Sequence, residues 1–140
     1  MGTITSRETS SPEETEALGE ELGRRLRPGD LVLLTGELGA GKTTFVRGVA
    51  RGCGSTMPVA SPTFQLARVY SGRLQLAHVD LYRIESDVEV RDLGLEELLE
   101  NGAVIVEWGE RLDDPRAARI EFDSLGEDRR RITVVRDLPN

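Results

Sequence analysis

Residues 31–43 read Leu31-Val32-Leu33-Leu34-Thr35-Gly36-Glu37-Leu38-Gly39-Ala40-Gly41-Lys42-Thr43, and this stretch decides the fold. Its second half matches G-x-x-x-x-G-K-[ST] without a departure, the phosphate-binding P-loop. The pattern describes a physical device. Gly36, Gly39 and Gly41 let the backbone turn so tightly that successive N–H groups face a polyphosphate. Lys42 reaches the outer phosphates and the Thr43 hydroxyl serves Mg²⁺. The first half, residues 31–34, is an apolar run of strand length suited to burial on both faces. After the loop, Thr44 leads into Phe45, Val46, Val49 and Ala50 on one helical face. Strand, glycine loop and helix follow in the order that the motif requires. The predicted binding set is Gly36, Glu37, Leu38, Gly39, Ala40, Gly41, Lys42, Thr43 and Thr44.

Outward from the loop, Ser11-Pro12-Glu13-Glu14 marks a helix start, with Ser11 as N-cap and Glu14 closing a capping box. Leu18, Leu22 and Leu26 share one side of that helix, which ends at Arg27-Pro28-Gly29-Asp30. Residues 55–62 read as an irregular loop. Residues 64–69 and 73–79 alternate as a hairpin across Tyr70-Ser71-Gly72. Residues 86–100 read helical, with Ser86 and Glu89 as a second capping box and Gly94 as a kink or break. Residues 103–106 form a second fully apolar strand, and residues 119–123 and 130–136 a final hairpin. The predicted fold is α/β, a P-loop NTPase-like three-layer arrangement. Its central sheet is mixed and mainly parallel, with antiparallel hairpins at the edges.

The 140 residues suit a single domain, residues 1–140, with the first ten as a flexible N-terminus. A formal net charge of −7 argues against a surface that grips nucleic acid by neutralising phosphates. The single cysteine, Cys53, excludes a disulfide framework and a cysteine zinc site. No signal-peptide core or membrane-spanning run is legible, so the expected location is cytoplasmic.

A P-loop needs an acid at a neighbouring strand end to hold Mg²⁺. Glu107 follows the apolar run 103–106, and Asp80 follows residues 74–79 in the same way. Glu107 with Thr43 is the assigned metal pair, and Asp80 the acid that orients the attacking water; the exchange of these two roles stays open. Thr63, in Ser61-Pro62-Thr63-Phe64, either touches the γ-phosphate or the metal-bound water or is an ordinary turn before a strand. His78 shares a strand face with Asp80 and reads first as packing. Trp108 reads as core or interface packing, Glu96-Glu97 as a solvated helix face, and Arg129-Arg130-Arg131 as a solvated hairpin end rather than a nucleotide or partner contact.

The P-loop, Ser61-Pro62-Thr63-Phe64, His78-Val79-Asp80-Leu81-Tyr82-Arg83 and Val106-Glu107-Trp108, in this order and spacing, resemble the TsaE (YjeE) family. The similarity runs from about Ser11 to Trp108; Phe64 stands where many members carry Tyr, which leaves the switch reading intact. The resemblance implies a small bacterial ATPase required for threonylcarbamoyladenosine in tRNA, weak alone and stimulated by TsaD and TsaB. It implies ATP/ADP and Mg²⁺ as cofactors, with Thr43 and Glu107 on the metal, Lys42 and the loop amides on phosphates, and Asp80 serving hydrolysis. It also implies that tRNA is met only through the partner complex. A small-molecule P-loop kinase and a nucleotide-binding scaffold without turnover remain the alternatives; neither an arginine-bearing lid nor a substrate pocket is legible. The adenine contacts match no motif; the Ser11 region and the arginines near Arg130 are the candidates.

Overall fold

The computed structural model describes residues 5–37, 41–56, 67–81, 94–108, 112 and 114–138. Its elements are β1 (Thr5–Thr9), α1 (Pro12–Arg25), β2 (Leu31–Gly36), α2 (Lys42–Gly52), β3 (Ala67–Tyr70), β4 (Gln75–Asp80), α3 (Leu95–Asn101), β5 (Gly102–Glu107), β6 (Ala118–Gly126) and β7 (Arg129–Arg136). The strands form one sheet in the order β1-β7-β6-β2-β5-β4-β3. Helices on both faces make it a three-layer α/β P-loop fold.

The two apolar runs take the centre, as their composition demands. β2 lies between β5 and β6 and is parallel to both. Alternate residues then serve alternate layers. Val32, Leu34, Ala103 and Ile105 pack toward α1 and α2 with Phe45, Val46 and Val49. Leu31, Leu33, Val104 and Val106 pack on the other face with Leu99 of α3.

The sheet is mixed as expected, parallel at its centre and antiparallel at both edges. β6–β2, β2–β5 and β5–β4 are parallel, whereas β1–β7, β7–β6 and β4–β3 are antiparallel. Alternation in β4 and β6 therefore marks neither an edge nor a direction; each has one parallel and one antiparallel neighbour. The predicted flexible N-terminus is also corrected, because residues 5–9 form β1, which covers the free edge of β7. That pairing protects backbone groups that an open edge would expose.

α1 begins at the predicted Ser11 cap, whose Oγ accepts from the Glu14 N–H at 3.2 Å. The return bond is displaced by one residue, since the Glu14 carboxylate takes the N–H of Ser10 at 2.9 Å. α1 and α2 lie so close that their backbones touch at glycines, and Arg51 of α2 ties Glu16 and Glu20 of α1 across the seam. A Cβ at Gly19 would collide with the Phe45 carbonyl oxygen, and one at Gly48 with that of Glu16. Gly94 is the N-cap of α3 at φ 70°, the break that the sequence anticipated. The Ser86–Glu89 capping box lies outside the described residues, as do Phe64 and the loop before it.

Candidate functional site

The carboxyl ends of β2, β4 and β5 meet the first turn of α2. Gly36 ends β2 at φ 134°, pressed against the backbone of Phe122 in β6, where a Cβ has no room. Gly41 caps α2 at φ 94°, a left-handed conformation that glycine adopts without penalty. Glu37 and Thr44 flank these turns, exposed and half-buried respectively. Leu38, Gly39 and Ala40 lie outside the described residues.

Lys42 opens α2 and is only 4% exposed. Its Nζ donates to the Gly36 carbonyl at 2.7 Å and stands 3.5 Å from the centre of the Trp108 ring. A cation over an indole face is attracted by the ring's quadrupole. Trp108 itself sits at φ 62°, an outlier for a bulky side chain. The backbone thus turns sharply right after Glu107 to bring that ring over the lysine. Trp108 does pack against the α3-side core, as predicted, and in addition roofs Lys42.

Thr43 and Glu107 come together. Thr43 Oγ1 lies 3.2 Å from both carboxylate oxygens, and Glu107 is 4% exposed. The strand register explains the meeting. Glu107 pairs with Leu34 of β2 and Asp80 of β4, on the face that packs against α2. Asp80 is half-buried beside it at the β4 end. Both Thr43 and Glu107 offer hard oxygen donors, the kind Mg²⁺ prefers, and neighbouring ligands of an octahedral Mg²⁺ stand about 3 Å apart. The pair fits such an ion. Thr63 lies outside the described residues.

His78 has more than the packing role read from sequence. The fully buried ring places Nε2 2.5 Å from Glu107 Oε2. A proton on Nε2 makes this a charge-assisted hydrogen bond. Nδ1 is buried with no hydrogen-bond partner among the described residues. Period two put His78 on the Asp80 face, but only the β4–β5 register brings it to Glu107. Glu96-Glu97 is solvent-exposed, as read, with Glu96 paired to Arg116 at 2.8 Å.

The arginine cluster divides. Arg129 and Arg131 face Glu8 of β1 at 3.8 and 3.4 Å. Arg130 instead lies against the loop: its Nε, Cγ and Cδ stand 3.5, 3.6 and 3.7 Å from where a Cβ on Gly41 would be. The hairpin-end reading misses this, because direction along β7 depends on a register that no local signal carries.

With this geometry in view, comparisons with known proteins converge. The sequence pattern of the family described as "Threonylcarbamoyl adenosine biosynthesis protein TsaE" matches residues 9–132. The chain is 42% identical over 132 residues to the tRNA threonylcarbamoyladenosine biosynthesis protein TsaE of Bacillus subtilis, covering 91% of this chain and 82% of that protein. It is 43% identical over 123 residues to the protein of the same name from Streptomyces coelicolor, covering 85% and 77%. The crystal structure of Bacillus subtilis YdiB superposes with a TM-score of 0.75 at 33% identity, covering 96% of this chain and 86% of that one.

Proposed function

The chain belongs to the TsaE family, and from that premise we propose that it is a Mg²⁺-dependent P-loop ATPase acting in threonylcarbamoyladenosine modification of tRNA. The observation that carries this reading is the Thr43 hydroxyl 3.2 Å from both oxygens of a buried Glu107, one residue from Lys42. A loop that only bound phosphate would have no need of that acid. In this reading Lys42 leaves the Gly36 carbonyl for the outer phosphates, and the amides of residues 36–44 hold the rest of the chain. Thr43 and Glu107 hold Mg²⁺, which when bound neutralises charge developing on the β- and γ-phosphates. Asp80 orients a water for in-line attack on the γ-phosphorus. The new P–O bond forms as the bond to the β-phosphate oxygen breaks, leaving ADP and inorganic phosphate. Thr63 is assigned to the same water or the γ-phosphate.

Partners complete the reaction. The site lies in a small acidic chain whose net charge of −7 disfavours direct hold on tRNA. On the family membership, TsaD and TsaB are the proposed stimulating partners, with tRNA met through them and ATP turnover resetting that complex. Phosphate release measured with and without TsaD and TsaB tests the reading. Stimulation is expected; γ-phosphate transfer to a small acceptor instead would replace ATPase with kinase.

A further inference from the structure

We infer, resting on the reading of Thr43 and Glu107 as the Mg²⁺ pair, that His78 is a positioning residue for it. The imidazole holds the Glu107 carboxylate ready for the cation.

Glu107 is the last residue of β5, and its partner on β4 is Asp80. A carboxylate at a strand end turns to water by default, and glutamate is seldom buried unless it is paired. Glu107 nevertheless keeps only 4% of its surface exposed. Its side chain reaches back over the sheet to His78, which lies two positions before Asp80 and opposite Ile105. Such a diagonal contact between neighbouring strands is within the span of a long side chain and a ring. Leu76 and Ile105, on the same face, are buried and apolar. Among the described residues at that depth, the imidazole is what offers the acid a donor.

The two carboxylate oxygens are treated differently. Oε2 takes the 2.5 Å bond from His78 Nε2 as well as the 3.2 Å approach of the Thr43 hydroxyl. Oε1 meets only that hydroxyl among the described residues. The torsion that turns a glutamate carboxylate is broad, with no narrow well to hold it. A bond to one oxygen supplies the restraint and leaves the other oxygen for a cation. Outer partners of this kind orient a ligating carboxylate and so tune metal affinity.

The bonding of the ring itself points the same way. Nε2 carries the proton it donates, and Nδ1 has no hydrogen-bond partner among the described residues. A buried nitrogen left without a partner costs stability, so packing alone would favour an apolar side chain here.

Titration of the whole chain with a non-hydrolysable ATP analogue, in EDTA and across a Mg²⁺ series, tests the assignment. His78→Leu is expected to bind the analogue within about twofold of wild type in EDTA, yet to need about tenfold more Mg²⁺ for the half-maximal gain in affinity. His78→Gln places an amide nitrogen where Nε2 stood and should return that requirement to within about threefold of wild type. His78→Asn is too short to reach Oε2 and should not. The Gln and Asn variants decide the matter should the leucine variant fail to fold. A wild-type Mg²⁺ requirement in His78→Leu, equal requirements in the Gln and Asn variants, or a loss of affinity already complete in EDTA would overturn the inference. A wild-type chain whose affinity ignores Mg²⁺ would instead remove the metal reading, and this inference with it.

Discussion

The two flanks of β2 are built by different means. On the β5 and β4 side, short parallel strands end almost level, and each delivers an acid at its last residue: Glu107 and Asp80. On the β6 and β7 side, an antiparallel hairpin climbs past the loop and presents Arg130. One flank gathers buried oxygen donors around the hydroxyl of Thr43; the other erects a wall carrying a cation. The difference teaches how a small domain divides labour. Acids gather where strands stop, and a cation stands where they continue.

The comparison collapses altogether if its centre is removed. Lys42→Ala should reduce nucleotide affinity and phosphate release on the order of 10²-fold or more, because one preorganised cation at the phosphates is lost; near-normal values would contradict the loop assignment. Within the acid flank, Asp80→Ala should spare ATP binding and slow phosphate release about 10²-fold. Glu107→Ala should instead abolish the gain in ATP affinity on adding Mg²⁺. The opposite pattern in the two titrations would exchange their roles.

Stability measurements sharpen the contrast further. Gly48→Ala drives a methyl into the Glu16 carbonyl and should cost about 3 kcal/mol in urea unfolding, by parting α1 from α2. Burial pushes the Cys53 thiol up to about 11, against a smaller lowering by Arg73, so its alkylation at neutral pH reports that parting directly. His78→Ala, which strips a buried carboxylate of its partner, should cost about 2 kcal/mol, with Gln restoring much of it. The smallest effect is expected away from both flanks. The hydrogen bond from Arg116 holds Asp114 below the usual carboxylate range despite opposing desolvation. A depressed acid stabilises the fold above its unfolded value, and that contribution fades as pH falls through its folded one. The slight destabilisation by Arg116→Ala should therefore be present at neutral pH and vanish in strong acid.

The acid flank was legible in the sequence because its signals are local. An apolar run followed by Asp or Glu specifies both the strand and the place where its carboxylate emerges. The same holds for α2, whose apolar face at Phe45, Val46 and Val49 is buried as its spacing demands. The hairpin flank was not legible. β1 is Thr5-Ser6-Arg7-Glu8-Thr9, polar and mostly exposed, so no periodicity announces it; only pairing with β7 makes it a strand. The aim of Arg130 depends on the Ser124 register, and the bond from His78 on that of β4 with β5. The glycines of α1 and α2 read locally as weak helix formers, and their purpose appears only when the helices touch.

The pairing of β1 with β7 sets a clock as well as an edge. Ser6 and Thr133 share a hydrogen bond across 127 residues of chain, so the edge strand closes only once nearly the whole chain is present. Strand, loop and first metal hydroxyl all lie within residues 31–43, yet β6, one of the two strands that β2 needs beside it, begins at Ala118. During synthesis the residue 36–43 loop therefore emerges long before β6, the strand that lies beside β2. The loop can take its place beside a complete sheet only after β6 and β7 have been made.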